Sequence, residues 1–373
     1  MMAMRLLAAD GFLACSISRA GQDGWACLLR TRGRVNEMRL SYVAAWSLLW
    51  CVCFWYLPGA YGQNTRGSRT FDFTYHVTLK DIPPKARQVH IWIPVASTNL
   101  HQNVRILKIS SPVSHRVTRE AIFGNRMLYL TMQPPYPVES EFKVVYRITR
   151  KAYSEGNYSS LQRYNQDPPL DLDAMARYLE PNRLVPTGGS IARIAHATTQ
   201  GKQGEIDKAF ALYNYVFQNM RYDKSGTGWG RGDALWACDA KHGNCTDFHS
   251  LFIALARAEK IPADFDIGFP LPTNVREGNV PGYHCWAKFY VEGLGWVPVD
   301  ISEAWQNPSK RDFYFGSVDA DRVEFSTGRD LLLAPRQKGP PVNYFIYPYV
   351  EVDGKPFKGS IEQRFSFRDV EAQ

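Results

Sequence analysis

Three residues in the second half of the chain have types that could do chemistry together: Cys245, His284 and Asp300. Cys245 sits in Gly243-Asn244-Cys245-Thr246, just ahead of an apolar stripe of Phe248, Phe252 and Leu255. That pattern predicts a helix from about Thr246 to Lys260, stopped by Ile261-Pro262, with the cysteine at its start. Free backbone N–H groups and the positive end of the helix dipole favour a thiolate there, the nucleophilic form. A thiol needs a base, and histidine is the side chain suited to that near neutral pH. A carboxylate beside the histidine fixes its tautomer.

His284 lies in a predicted strand over 283–291, and Asp300 at the end of the next, over 296–301. With a three-residue loop at 292–294, Val291 opposes Gly295 and Asp300 falls one diagonal away from His284 on the same face. Gly293 and Gly295 supply the left-handed backbone that such a loop requires. Alternation along the strand turns Cys285 away from the nucleophile. Cys285 then has Cys238 as its one possible disulfide partner besides Cys245, if the Cα atoms come within about 7 Å.

Other residues compete for these roles. His249, four residues after Cys245, is a rival base on the same helix face. Cys238, His242, Cys245 and His249 could be read as zinc ligands, but six residues separate the two cysteines, where structural sites use two to four. No cofactor is expected. Trp286 and Trp296 read as packing near the site, and Trp229 in a Gly-rich loop as a wall of a substrate groove.

The elements that must position these residues fall into two blocks. Residues 63–152 read as a β-sandwich of short strands that alternate apolar and polar residues, with Phe71, Phe73, Tyr75, Val77 and Leu79 on one face of the first. Residues 153–188, rich in polar residues, Pro and Gly, read as a linker. Residues 189–373 read as a second domain. It begins with helices, one of them carrying Ile206, Phe210, Tyr213, Phe217 and Met220 on one face. Strands follow, and the Tyr- and Phe-rich tail supplies strands that close this same domain.

The amino-terminal 62 residues read as a leader. The run 40–57 carries no charge, Arg39 precedes it and Pro58-Gly59-Ala60-Tyr61-Gly62 follows, so cleavage before Gln63 is expected. Met38 would start a leader of ordinary length. Eighteen apolar residues can also just span a bilayer, so an uncleaved anchor is the alternative and the membrane contact it would make. Either way the rest of the chain works outside the cytoplasm, in the periplasm or beyond the cell. The net charge of +8, from 44 Lys+Arg against 36 Asp+Glu, contains no basic run. Nucleic acid is therefore not the expected partner.

The stretch GNCTDFHSLFIALAR, followed by GYHCWAKFY and GWVPVD, resembles the Cys, His and Asp boxes of the transglutaminase-like superfamily, relatives of papain-type thiol enzymes. The resemblance covers about 190–305. The block at 70–150 resembles the immunoglobulin-like sandwich that often precedes this core in exported bacterial members. It implies an α+β protein in which a helix carrying the Cys packs on an antiparallel sheet. Cys245 would be nucleophile, His284 base and Asp300 the orienting carboxylate. The implied reaction is acyl transfer from an amide of a peptide or protein, as a peptidase or amidase with water, or as a transglutaminase with an amine acceptor. Thr246 stands where the animal cross-linking members carry tryptophan, and there is no D-x-D-x-D calcium loop. The alternative is a non-catalytic peptide-binding module that keeps the fold.

Overall fold

A computed structural model describes residues 5–8, 11–14, 67–162 and 172–371. The apolar run at 40–57 and the cleavage point after Gly62 lie outside the described residues. Arg5–Ala8 and Gly11–Ala14 pair as a small antiparallel hairpin, in a unit that ends at Gln63.

In the unit that begins at Asn64, short pieces aside, the elements run as follows. The first six strands are β1 (Ser68–Lys80), β2 (Val89–Val95), β3 (Gln102–Ser110), β4 (His115–Arg119), β5 (Arg126–Met132) and β6 (Glu139–Lys151). Four helices follow: α1 (Ser190–Thr199), α2 (Gly204–Asn219), α3 (Ala234–Ala240) and α4 (Cys245–Ala258). Strands return as β7 (Ala263–Pro270), β8 (Glu277–Val280), β9 (His284–Val291) and β10 (Gly295–Val299). Helix α5 (Ile301–Gln306) and strands β11 (Arg322–Thr327), β12 (Tyr349–Val352) and β13 (Ile361–Asp369) complete the chain.

The period-two pattern of β1 does what the alternation demands. Phe71, Phe73, Tyr75, Val77 and Leu79 all point inward and are fully buried. They share one apolar cluster with alternate residues of β2, β5 and β6, so two five-stranded antiparallel sheets face each other across it. One sheet has the order β8-β13-β1-β6-β3. The other runs from Lys355–Pro356 through β12, β2 and β5 to β4.

These orders correct one expectation. Of the tail, only β11 joins the sheet of the second domain; the later strands do not close it. β13 pairs with β1 from Ile361↔Leu79 to Asp369↔Phe71, and β12 pairs with β2 from Tyr349↔Trp92 to Val352↔Val89. β8, from the middle of the chain, pairs with β13. Strand pairing brings together segments hundreds of residues apart, and local alternation carries no record of the partner.

The third sheet, β10-β9-β7-β11, is antiparallel throughout and carries α4 on one face. Its Phe269 and Phe325 lie 5.3 Å and 5.6 Å, ring to ring, from Phe73 of β1. The three sheets thus share one core, and 64–373 is a single compact unit. Within 153–188, Leu161 and Val185 are buried in that same core.

Helix α4 is buried on every side, not along one stripe as its apolar spacing suggested. Its polar residues are each matched inside the protein. Arg257 donates to the carbonyls of Ala263 and Glu180 and to Asn182, and Arg329 donates to Ser250. Burial of such groups is tolerated only because these partners replace water.

Candidate active site

Cys245 is the first residue of α4, as its position before the apolar stripe requires. Asn244 caps the helix: its Oδ1 accepts the Thr246 N–H at 2.9 Å, and Asp247 reaches back to the Asn244 N–H at 3.0 Å. Asp247 also accepts the N–H groups of Gly230 (2.7 Å) and Gly232 (3.0 Å), tying the Gly/Trp loop to the start of the helix. Gly243 is required by this packing, since a Cβ there would fall 2.4 Å from an Asp247 carboxylate oxygen. The Asn244 amide donates to the Tyr283 hydroxyl at 2.9 Å.

The hairpin that carries the other two residues has the register expected for a three-residue loop. Val291 opposes Gly295, with Gly293 and Gly295 at positive φ. The pairing ends at Ala287↔Val299. Asp300 is therefore the cap of α5 and not a strand residue. Its two oxygens divide the work. Oδ1 accepts the Glu303 N–H (3.1 Å) and the Ser302 hydroxyl (3.2 Å), while Oδ2 faces His284 Nε2 at 2.7 Å and Arg322 at 2.8 Å. The cap was legible as Asp-x-x-Glu at 300–303.

With Nε2 held by Asp300, His284 has Nδ1 left for Cys245, whose thiol feels the charge of this imidazole. The structure thus brings the three residues together, with His284 and Asp300 hydrogen-bonded. All are buried: Cys245 is 2% exposed, His284 5% and Asp300 0%. Burial pushes the Cys245 thiol up, but hydrogen bonds from Cys285 and His284 and the charge of His284 outweigh it and bring the thiol down to about 5. Burial lowers His284, and the Asp300 carboxylate and the Cys245 thiolate more than reverse this, holding the imidazole protonated well above its ordinary value. Burial raises Asp300, yet His284 and Arg322 hold it well below the usual carboxylate range. These are the signs of a thiolate–imidazolium pair in a low-dielectric site.

Cys285 does not turn away from the helix that carries the nucleophile: its thiol lies 3.6 Å from His249 Nδ1, one turn along α4 from Cys245. Cys238, Cys245 and Cys285 are all free thiols, and Cys238 is half-buried on α3. His249, the rival base, is engaged elsewhere: its Nε2 accepts the Ile301 N–H at 3.0 Å. Burial pushes it down to about 4, so it is neutral where the pair is charged. Among the described residues, no group of three or more His, Cys, Asp and Glu is placed to hold a metal ion.

Arg322 went unread in the sequence. It lies in the tail, on β11, and gives no local motif. Its guanidinium joins Asp300 (2.8 Å) and Asp319 (3.1 Å) and lies 4.9 Å from the centre of the Trp286 ring. Trp286 is thus buried packing beside the site, 6.3 Å from the His284 ring. Trp296 is at the far end of the hairpin, edge-on to Tyr178 and Tyr290. Trp229 is half-buried in the loop tied to Asp247. Because Arg322 and Asp300 are buried and Asp319 is half-buried, Arg322→Met leaves two carboxylates short of a counter-charge. The expected loss is about 3–5 kcal/mol of stability, read from urea unfolding.

The transglutaminase-like superfamily pattern matches residues 192–301, the stretch from α1 to the start of α5 that contains all three residues. An uncharacterised protein of Haemophilus influenzae is 28% identical over 335 residues, covering 80% of this chain and 89% of its own. Among solved structures, a candidate cysteine protease from Cytophaga hutchinsonii aligns with a TM-score of 0.55 at 17% identity, over 82% of this chain and 92% of that one. The periplasmic domain of TgpA from Pseudomonas aeruginosa aligns with a TM-score of 0.33 at 14% identity, over 66% and 91%. At 17% identity the likeness to the Cytophaga hutchinsonii structure is one of fold. Residues 192–301 of this chain thus match the transglutaminase-like superfamily.

Proposed function

We propose that the protein is an exported, cysteine-dependent acyl-transfer enzyme acting on amide bonds of peptides or proteins, with Cys245, His284 and Asp300 as its triad. The observation that carries this reading is the Cys245 thiol at a helix start, under the charge of an imidazole whose Nε2 is fixed 2.7 Å from a buried carboxylate. The Cys245 thiolate attacks the carbonyl carbon. The oxyanion is met by the backbone N–H of Cys245 at the helix start. The His284 imidazolium gives its proton to the leaving nitrogen as the C–N bond breaks. Water or a primary amine, deprotonated by His284, then attacks the thioester and the thiolate leaves. Asp300 keeps the ring oriented and offsets its charge. Export rests on the apolar run at 40–57.

Incubating the full chain with a peptide library, with and without a primary amine, tests the reading. Intact mass after a rapid acid stop is expected to show an adduct on Cys245. Product masses separate hydrolysis from amine transfer, and no adduct and no product would refute the reading. The pH profile follows from the pair. Turnover rises as pH goes up through about 5, where the Cys245 thiolate forms. It falls only well above the ordinary histidine value, where the imidazolium is lost. A single rise near the ordinary thiol value would contradict the ion pair.

A further inference from the structure

We propose that a polar cavity on the side of the third sheet away from α4 binds a neutral saccharide. Alternation along β9 sends Cys285 and Phe289 towards α4, where they lie 3.6 Å from His249 and, ring to ring, 6.3 Å from Phe252. It sends Trp286 and Lys288 the other way. There Trp286 and Lys288 line a cavity of about 520 Å³, together with Asp266 of β7, Glu324 of β11 and the loops at 97–101 and 119–125. The volume falls in the range of small-ligand sites, about 300–1,000 Å³. None of Cys245, His284 and Asp300 lines it, so it is not the place where an acyl group would react.

Two buried polar atoms of lining residues, Ser97 Oγ and Arg150 Nε, have no hydrogen-bond partner among the described residues, and Arg150 is 1% exposed. Folded proteins seldom leave such groups unmet, and a ligand oxygen suits both. The charges say which ligand. Lys288 is 2.7 Å from Asp266, and Arg150 is 3.6 Å from Glu324. Arg119 and Glu155, both exposed, add one charge of each sign to the lining. Burial pushes His101 down to about 4, so it adds none. An anion would sit beside Asp266 and Glu324, and a cation beside Arg150 and Lys288, so either meets its own sign away from bulk water. A hydroxyl group escapes this, because it donates to a carboxylate and accepts from a guanidinium or ammonium at once. Burial pushes Glu324 up to about 7, so near neutral pH its carboxyl group also does both. Rings complete the lining: Tyr153, stacked on His101 at 3.6 Å, with Trp296 and Phe123. Such rings cover the C–H faces of a sugar while its hydroxyls reach the charged pairs.

To test this, the full chain is applied to an array of neutral and acidic glycans, and the strongest binder is titrated by calorimetry beside citrate, spermidine and trialanine. A neutral glycan is expected to bind, and the acidic glycans, citrate, spermidine and trialanine to bind more weakly. Ser97→Ala removes a hydroxyl that bonds nothing within the protein, so the melting temperature holds while the glycan binds about fivefold more weakly. Trp296→Ala removes a half-buried ring of the lining and weakens binding about tenfold. Cys245→Ala binds the glycan as tightly as wild type, which keeps this result separate from the proposed acyl transfer. Capture of no neutral glycan, tighter binding of an anion, the cation or the peptide, or unchanged affinity in both Ser97→Ala and Trp296→Ala overturns the proposal.

Discussion

Asp300→Asn lowers turnover by about 10³- to 10⁴-fold, with substrate binding much less affected. The size follows from the two jobs of the side chain. With the amide oxygen kept at the cap, accepting the Glu303 N–H, the NH₂ group faces His284 Nε2 and Arg322. A donor there forces the imidazole to accept at Nε2 and to carry its proton on Nδ1, the nitrogen that must take one from Cys245. It also sets two donors against each other at Arg322. With the amide turned round, the tautomer improves but the Glu303 N–H loses its acceptor, so the melting temperature falls as well. Steady-state kinetics beside a thermal melt separate these effects. A variant with near wild-type turnover would remove Asp300 from the mechanism.

Cys245→Ala abolishes covalent chemistry, with turnover down by about 10⁵-fold or more. Serine at this position does little better, because a hydroxyl ionises far too poorly for a histidine to activate without the rest of its site being rebuilt. Removing the thiolate also strips His284 of a partner that holds it protonated, so its imidazole titrates lower in the alanine variant. That shift, followed by NMR, reports the ion pair even where no turnover is left to measure. The adduct seen by intact mass disappears in the same variant. If the adduct persisted, the nucleophile would be another thiol, and Cys238, the half-exposed one, would be first to examine.

Local sequence determined more of this site than of the fold around it. Cys245 could be placed at a helix start because an apolar period of three to four residues begins directly after it. The His284–Asp300 relation could be worked out because two glycines fixed a loop of three residues and hence the register, which the pairing Val291↔Gly295 matches. Both rest on neighbours in the chain, where backbone geometry leaves few choices. The alternation of β1 likewise named its buried face residue by residue.

Only the tertiary structure decided what comes from afar. Arg322 reaches Asp300 across 22 residues, and β13 pairs with β1 across nearly the whole chain. The return of the tail to the first strand joins the sheets around one core, because an open strand edge takes whichever partner buries the most apolar surface. Tertiary structure also set the place of Cys285: alternation turned it from Cys245, but its thiol lies against His249 of the same helix. The sequence by itself determined which residues could react. The depressed thiol, the protonated imidazole and the ionised carboxylate are set by burial and by partners that meet only when the chain is folded.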